Sequence, residues 1–175
     1  VVARMEAGVS VENGKVLVRY SWLPCVGRLR DNSGQARAIQ SSMEASLAKK
    51  GRLQAFNLEM EKALAEGTFS LVSEAELEER RRSKEPLQYV VLLAVEQPGH
   101  QGHKLRVVSN SKLRNIHDGL SVNDCMERPP NTLSPLLGVL LWWRTNLYVL
   151  MIDLARAYQA LHTGPLERFT RLFLW

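Results

Sequence analysis

Leu147-Tyr-Val-Leu-Met-Ile-Asp153-Leu-Ala-Arg-Ala-Tyr158 is the stretch on which the reading of this chain turns. Six apolar residues, 147–152, run straight into Asp153, and Tyr148, Val149 and Ile152 favour extended backbone. An unbroken apolar run of that length predicts a strand buried on both faces. A carboxylate at the end of such a strand needs a partner, because burying an unpaired charge is costly. Asp153 either caps the short helix that residues 154–158 can form, or it ligates a divalent cation. Mg²⁺ is the natural cation there, since it prefers carboxylate oxygen and leaves positions open for phosphate.

The flanks add order to this stretch. Gly119-Leu-Ser-Val-Asn-Asp-Cys-Met126, Pro130-Asn131 and Leu136-Leu-Gly-Val-Leu-Leu141 with Arg144 precede it, and Arg168-Phe-Thr-Arg-Leu-Phe-Leu-Trp175 follows. In this series the chain resembles the polymerase of BEL/Pao-type LTR retrotransposons around the first carboxylate motif of reverse transcriptases. There an Asp ends a palm strand and an aromatic residue follows five positions later, as Tyr158 follows Asp153. The resemblance implies an α+β fold of fingers plus an incomplete palm: an extended segment over 1–30, a fingers-like region over 31–130 and a partial palm over 131–175. It makes Asp153 the catalytic, metal-binding carboxylate, for Mg²⁺ where the remaining palm carboxylates are supplied elsewhere. Tyr158 would floor a nucleotide pocket against the ribose 2′-hydroxyl, and an RNA/DNA primer-template would be the partner.

Upstream, the periodicity is helical. Ile39, Met43 and Leu47 recur at four-residue spacing before Lys49-Lys50 and Gly51, and Leu53, Phe56, Met60 and Leu64 form a second stripe ended by Gly67. These stripes predict a helical pair with its apolar faces in the core. Ser73-Glu-Ala-Glu76 is a capping-box pattern. The charged run after it, residues 78–84, reads as a solvated helix face whose acids neutralise its arginines rather than as a phosphate grip.

Near residue 88 the period switches to that of strands. Residues 88–95 and 103–108 flank a Gly/Pro loop and predict a hairpin, and 15–20 has a shorter β pattern that Leu23-Pro24 ends. Between Gln97 and His117 there are four Lys/Arg and no acid. Lys104 and Arg106 within that run suit phosphate contact; a charged edge strand guarding against aggregation accounts for them equally well. By the resemblance they are the nucleotide-contacting residues of the fingers hairpin. Residues 133–144 predict a helix that is apolar nearly all round. Such a helix is either buried or presents Trp142 and Trp143 to another domain.

Composition bounds these readings without deciding them. The 175 residues are 45% hydrophobic and 23% charged, with net charge +5, ordinary for a globular chain and permissive for phosphate binding. Cys25 and Cys125 have no spacing that suggests a metal or redox motif, so reduced thiols and an intracellular setting are expected. The N-terminal residues, with Arg4 and Glu6, do not read as a secretory signal, and an initial Val1 suggests a piece cut from something longer. Arg144, Thr145 and Asn146 interrupt the apolar region 136–152, which argues against a membrane span of about 20 residues.

The chain also departs from its apparent relatives. Ser109-Asn110 stands where they carry an aromatic and an Asp, Leu92-Leu93 stands where they tend to place a histidine pair, and no Asp-Asp pair occurs anywhere. Two-metal phosphoryl transfer needs carboxylates from separate strands, so no polymerase activity is expected of these residues alone. Two functions compete on this reading. One is a retrotransposon-derived reverse-transcriptase-like domain that binds primer-template and nucleotide. The other is a host-recruited remnant serving as a structural or interaction module, with a protein partner over Trp142/Trp143 and the open palm edge. A helical adaptor of unrelated origin is a third.

Overall fold

A computed structural model describes residues 7–96, 105–128, 130–131, 133–153 and 161–175 of the chain. Among these residues the fold is α+β, with five helices and two small sheets. Strands β1 (Val9–Glu12) and β2 (Lys15–Val18) form an antiparallel hairpin, Val9 opposite Val18 and Glu12 opposite Lys15. Asn13 (φ 51°) and Gly14 (φ 74°) close it. A two-residue hairpin loop needs positive φ at both positions to match the strand twist, and Asn-Gly tolerates this best.

Helix α1 (Ser33–Lys49) and helix α2 (Leu53–Ala65) are the predicted pair. They are joined at Gly51, whose φ of +65° lets Gly51 N–H reach Ala48 O and Arg52 N–H reach Leu47 O, a Schellman closure. Helix α3 (Glu74–Ser83) opens on the predicted capping box: Ser73 Oγ accepts from Glu76 N–H and Glu76 Oε2 accepts from Ser73 N–H at 2.9 Å. Its charged run pairs largely with itself and its surroundings. Arg81 reaches Asp31 and Glu74, each at 2.7 Å, Arg80 reaches Glu85 at 2.8 Å, and Arg82 pairs with Glu79.

Strands β3 (Val91–Glu96) and β4 (Leu105–Asn110) form the second antiparallel sheet, Val91 opposite Asn110 and Glu96 opposite Leu105. One face, carrying Leu92, Ala94, Leu105 and Val107, packs on Leu47, Phe56 and Met60 of α1 and α2. Just before β3, residues 87–90 run extended through a second core cluster with Ala36, Leu77, Phe169 and Leu172. The end of the chain supplies their backbone partners: Gln88 N–H donates to Phe169 O (3.0 Å), Leu172 N–H to Gln88 O (3.1 Å) and Val90 N–H to Leu172 O (2.7 Å). Asn32 completes this seam from the other side. Its amide bonds Tyr89 twice, accepting from Tyr89 N–H at 2.6 Å and donating to Tyr89 O at 3.0 Å. A buried backbone without such partners would lose most of a hydrogen bond's value per group.

Strand β5 (Leu161–Thr163) joins β2 in parallel, Val16 opposite Leu161 and Val18 opposite Thr163. Helix α5 (Pro165–Thr170) follows at once, with Pro165 in its first turn, where a missing N–H is harmless. Glu167, 3% exposed, accepts from Tyr20 N–H at 2.8 Å and Trp22 Nε1–H at 3.0 Å. One carboxylate thus fastens the N-terminal sheet to α5.

The stretch 147–153 departs from its expectation. It forms no strand and no helix, and its side chains face solvent, with Leu147 95% and Tyr148 92% exposed. The preceding helix α4 (Leu136–Trp143) forms as predicted but buries none of its residues. The apolar run lacks, among the described residues, the neighbouring strands and facing helix that a buried parallel strand needs. Residues 154–160, and with them most of the helical segment expected after Asp153, lie outside the described residues.

Candidate functional site

Arg106 is the predicted site residue with the best-defined setting. It lies on β4 opposite Val95 and is exposed. Strand alternation puts it on the face away from α1 and α2, beside Leu93, Val95 and Val108, all three exposed. The hairpin is held from behind by packing, which leaves this outer face a shallow surface with, among the described residues, the Arg106 cation and an apolar floor. Lys104, expected next to Arg106 in the same role, lies outside the described residues.

From Arg106 to Asn110 the strand spans about 13 Å at 3.3 Å per residue. The turn at Ser111-Lys112 then carries the chain toward Arg114. Lys112 is exposed, and its N–H is fixed by Asn110 Oδ1 at 3.1 Å. An open depression follows, with Lys112, Arg114, Arg128, Ser121, Asp124 and Glu127 among its walls. Arg114 is already committed: it bonds Gly119 O at 2.7 Å and Asp124 at 3.3 Å. Asp124 in turn accepts from Ser121 Oγ (2.7 Å) and Ser121 N–H (3.0 Å). Those two Ser121 bonds, before the nearby Arg114 and Arg128, hold the Asp124 carboxyl below its ordinary range. The wall of the depression is therefore a finished structural knot. Among the described residues, Arg106, Lys112 and Arg128 are exposed cations along this path.

Asp153 is exposed and sits at the end of the irregular stretch 147–153. No hydrogen bond or ion pair among the described residues joins it to Arg106. No group of three or more His, Cys, Asp or Glu that could hold a metal ion occurs among the described residues. Tyr158 lies outside the described residues, so of the expected nucleotide-binding residues Lys104, Arg106 and Tyr158 only Arg106 is described. Trp142, 65% exposed, and Trp143, half-buried, stand at the end of α4. No helix among the described residues is long and apolar enough to cross a membrane.

Lys112 carries a signal that sequence pattern could have singled out, since it belongs to the same acid-free run as Arg106. The Ser121–Asp124 knot carries the Ser-x-x-Asp spacing of a cap. Comparison with protein-family models, with curated proteins and with solved structures finds no match to this chain.

Proposed function

We propose that the chain is a fingers-like module with an incomplete palm, of BEL/Pao-type retrotransposon reverse-transcriptase ancestry, that binds nucleic acid through the outer face of the β3–β4 hairpin and does not polymerise alone. The observation that carries this reading is the exposed Arg106 on a hairpin whose opposite face is anchored in the core, followed by the exposed Lys112 with no acid between them. A cation on a rigid strand gives up little conformational freedom on meeting a phosphate, and base-independent contacts of this kind give salt-sensitive affinity. Leu93, Val95 and Val108 beside it offer an apolar floor for a base or sugar. Mg²⁺ enters this function only where partner carboxylates complete the clamp that Asp153 alone cannot form.

Titration of a labelled RNA–DNA hybrid at several salt concentrations tests the proposal. Replacing Lys104 and Arg106 together by Ala should weaken binding and flatten the slope of log K against log salt by about 0.9 for each phosphate no longer neutralised. Unchanged affinity and slope would remove the hairpin from the binding account. Primer extension with Mg²⁺ or Mn²⁺ should give no incorporation with either the wild-type chain or Asp153→Asn, and extension that depends on Asp153 would contradict the incomplete site.

The exposed apolar residues of α4 and 147–152 favour a second function, a recruited module whose role is protein interaction. Salt-independent loss of hybrid binding together with a soluble, partner-free chain would leave neither function standing.

A further inference from the structure

Cys25 and Cys125 are 100 positions apart, and the fold brings them together. Residues 21–23 and 125–127 form a short antiparallel seam: Trp22 bridges Met126, Leu23 N–H donates to Cys125 O and Glu127 N–H to Ser21 O, both at 2.8 Å. Two 3₁₀ turns, Pro24–Arg28 and Asn123–Cys125, pack against one another at the end of this seam. Cys25 Sγ lies 3.8 Å from the backbone O of Asp124, the residue just before Cys125. Cys125 is buried, while Cys25 is partly exposed.

We infer that Cys25 and Cys125 are the two halves of a reversible disulfide, an oxidant-operated clasp between the N-terminal segment and the loop ahead of α4. The seam already holds the two backbones in register. Bond formation then needs the two sulfurs, carried on turns that pack together, to close to a covalent distance of about 2.05 Å, a movement that short 3₁₀ turns can absorb. The roles divide by burial. Burial first, and the neighbouring Cys25 thiol second, push the Cys125 thiol up to about 12, so Cys125 is a neutral thiol at physiological pH. Cys25 is the sulfur that meets the oxidant.

With hydrogen peroxide as oxidant the chemistry balances. Cys25 Sγ bonds to one peroxide oxygen as the O–O bond breaks, and the thiol proton leaves with the departing oxygen as water. Cys125 Sγ then attacks the Cys25 sulfenic sulfur, the S–O bond breaks, and the Cys125 proton leaves with the hydroxyl as a second water. The two sulfurs give up two electrons and the peroxide takes them. Closing a loop of about 100 residues restrains the unfolded chain strongly, by an amount that grows slowly with loop length.

The test uses the whole chain under native conditions. After stoichiometric hydrogen peroxide, alkylation and digestion, mass spectrometry should find a peptide pair joined through Cys25 and Cys125, lighter by two hydrogens than the reduced pair. The oxidised chain should melt roughly 5–15 °C higher, an increase that dithiothreitol reverses. In Cys125→Ser, dimedone should trap Cys25 as the sulfenic acid; in Cys25→Ser, Cys125 should remain unmodified. Covalent dimers in place of the internal link, a Cys25 sulfinic acid beside an alkylated Cys125, or two untouched thiols in the wild-type chain would each overturn the inference. The wild-type mass map decides the matter even where a serine variant does not fold.

Discussion

Residues 87–92 (Leu-Gln-Tyr-Val-Val-Leu) and 147–152 (Leu-Tyr-Val-Leu-Met-Ile) are alike in length and β-forming character, and the second is the more apolar. The first lies in the core, with Leu92 2% exposed; the second lies in solvent, with Leu150 82% exposed. Hydrophobicity therefore does not separate them. Residues 87–90 have backbone partners along 169–172, a bidentate amide from Asn32 and two facing helices, α1 and α3. Residues 147–152 have no such set among the described residues. An apolar run becomes a core strand only where its N–H and C=O groups are satisfied and another surface fits its side chains. A run without those partners leaves its apolar side chains in solvent, as 147–152 does among the described residues.

The largest test of this contrast is a pair of truncations. Leu92→Ala should destabilise the fold by about 2–5 kcal/mol, as deletion of a buried Leu does, whereas Leu150→Ala should change stability by less than about 0.5 kcal/mol. Urea unfolding monitored by circular dichroism measures both, and equal effects would erase the distinction. Next in size is the seam itself. Asn32→Ala leaves Tyr89 N–H and C=O buried without partners and should cost about 2–3 kcal/mol, against less than about 0.5 kcal/mol for the exposed Asn146→Ala.

A smaller effect separates the two regions by pH. Asp31 ahead of α1, Glu76 in the first turn of α3 and Asp124 in the loop after β4 are each held below the ordinary value, 3.8 for Asp and 4.5 for Glu. Burial pushes Asp31 up, but the Ser33 and Arg81 hydrogen bonds together outweigh it; for Glu76 and Asp124 the bonds from Ser73 and Ser121 dominate. A carboxyl lowered in this way stabilises the fold only once ionised. Its contribution is complete above the ordinary value and is lost as pH falls through the lower folded value. Near-UV circular dichroism should hold steady down to about pH 4.5 and decline below it; a decline that begins near neutral pH would show other groups in control.

Much of the fold was legible where a local rule sufficed. The two helical stripes, Gly51 and Gly67 as stops, the Ser73–Glu76 box and the switch to strands near 88 all come from short-range chemistry, and each element stands within a few residues of its expected place. The Asn13-Gly14 pair announced the β1–β2 hairpin as clearly, yet only its second strand was expected. The failures are long-range. Nothing local in residues 169–172 says that they pair beside 88–90, or that β5 extends the N-terminal sheet through β2. The same blindness produced the opposite error at 147–152, whose composition matched a buried strand although burial depends on partners far away in sequence. At the candidate site, Arg106 was legible as a charge on a strand. Its outward direction depended on which hairpin face meets α1 and α2, and Cys25 and Cys125 meet only through the seam at Trp22 and Met126.

The proposed nucleic-acid binding belongs to the hairpin that presents Arg106, not to the exposed apolar run. Ultraviolet cross-linking of the chain to a labelled RNA–DNA hybrid, with adducts mapped by mass spectrometry, tests this most directly. The account predicts adducts within 105–114 that fade as salt is raised, and none in 136–152. Adducts concentrated in 136–152, or a pattern indifferent to salt, would contradict it.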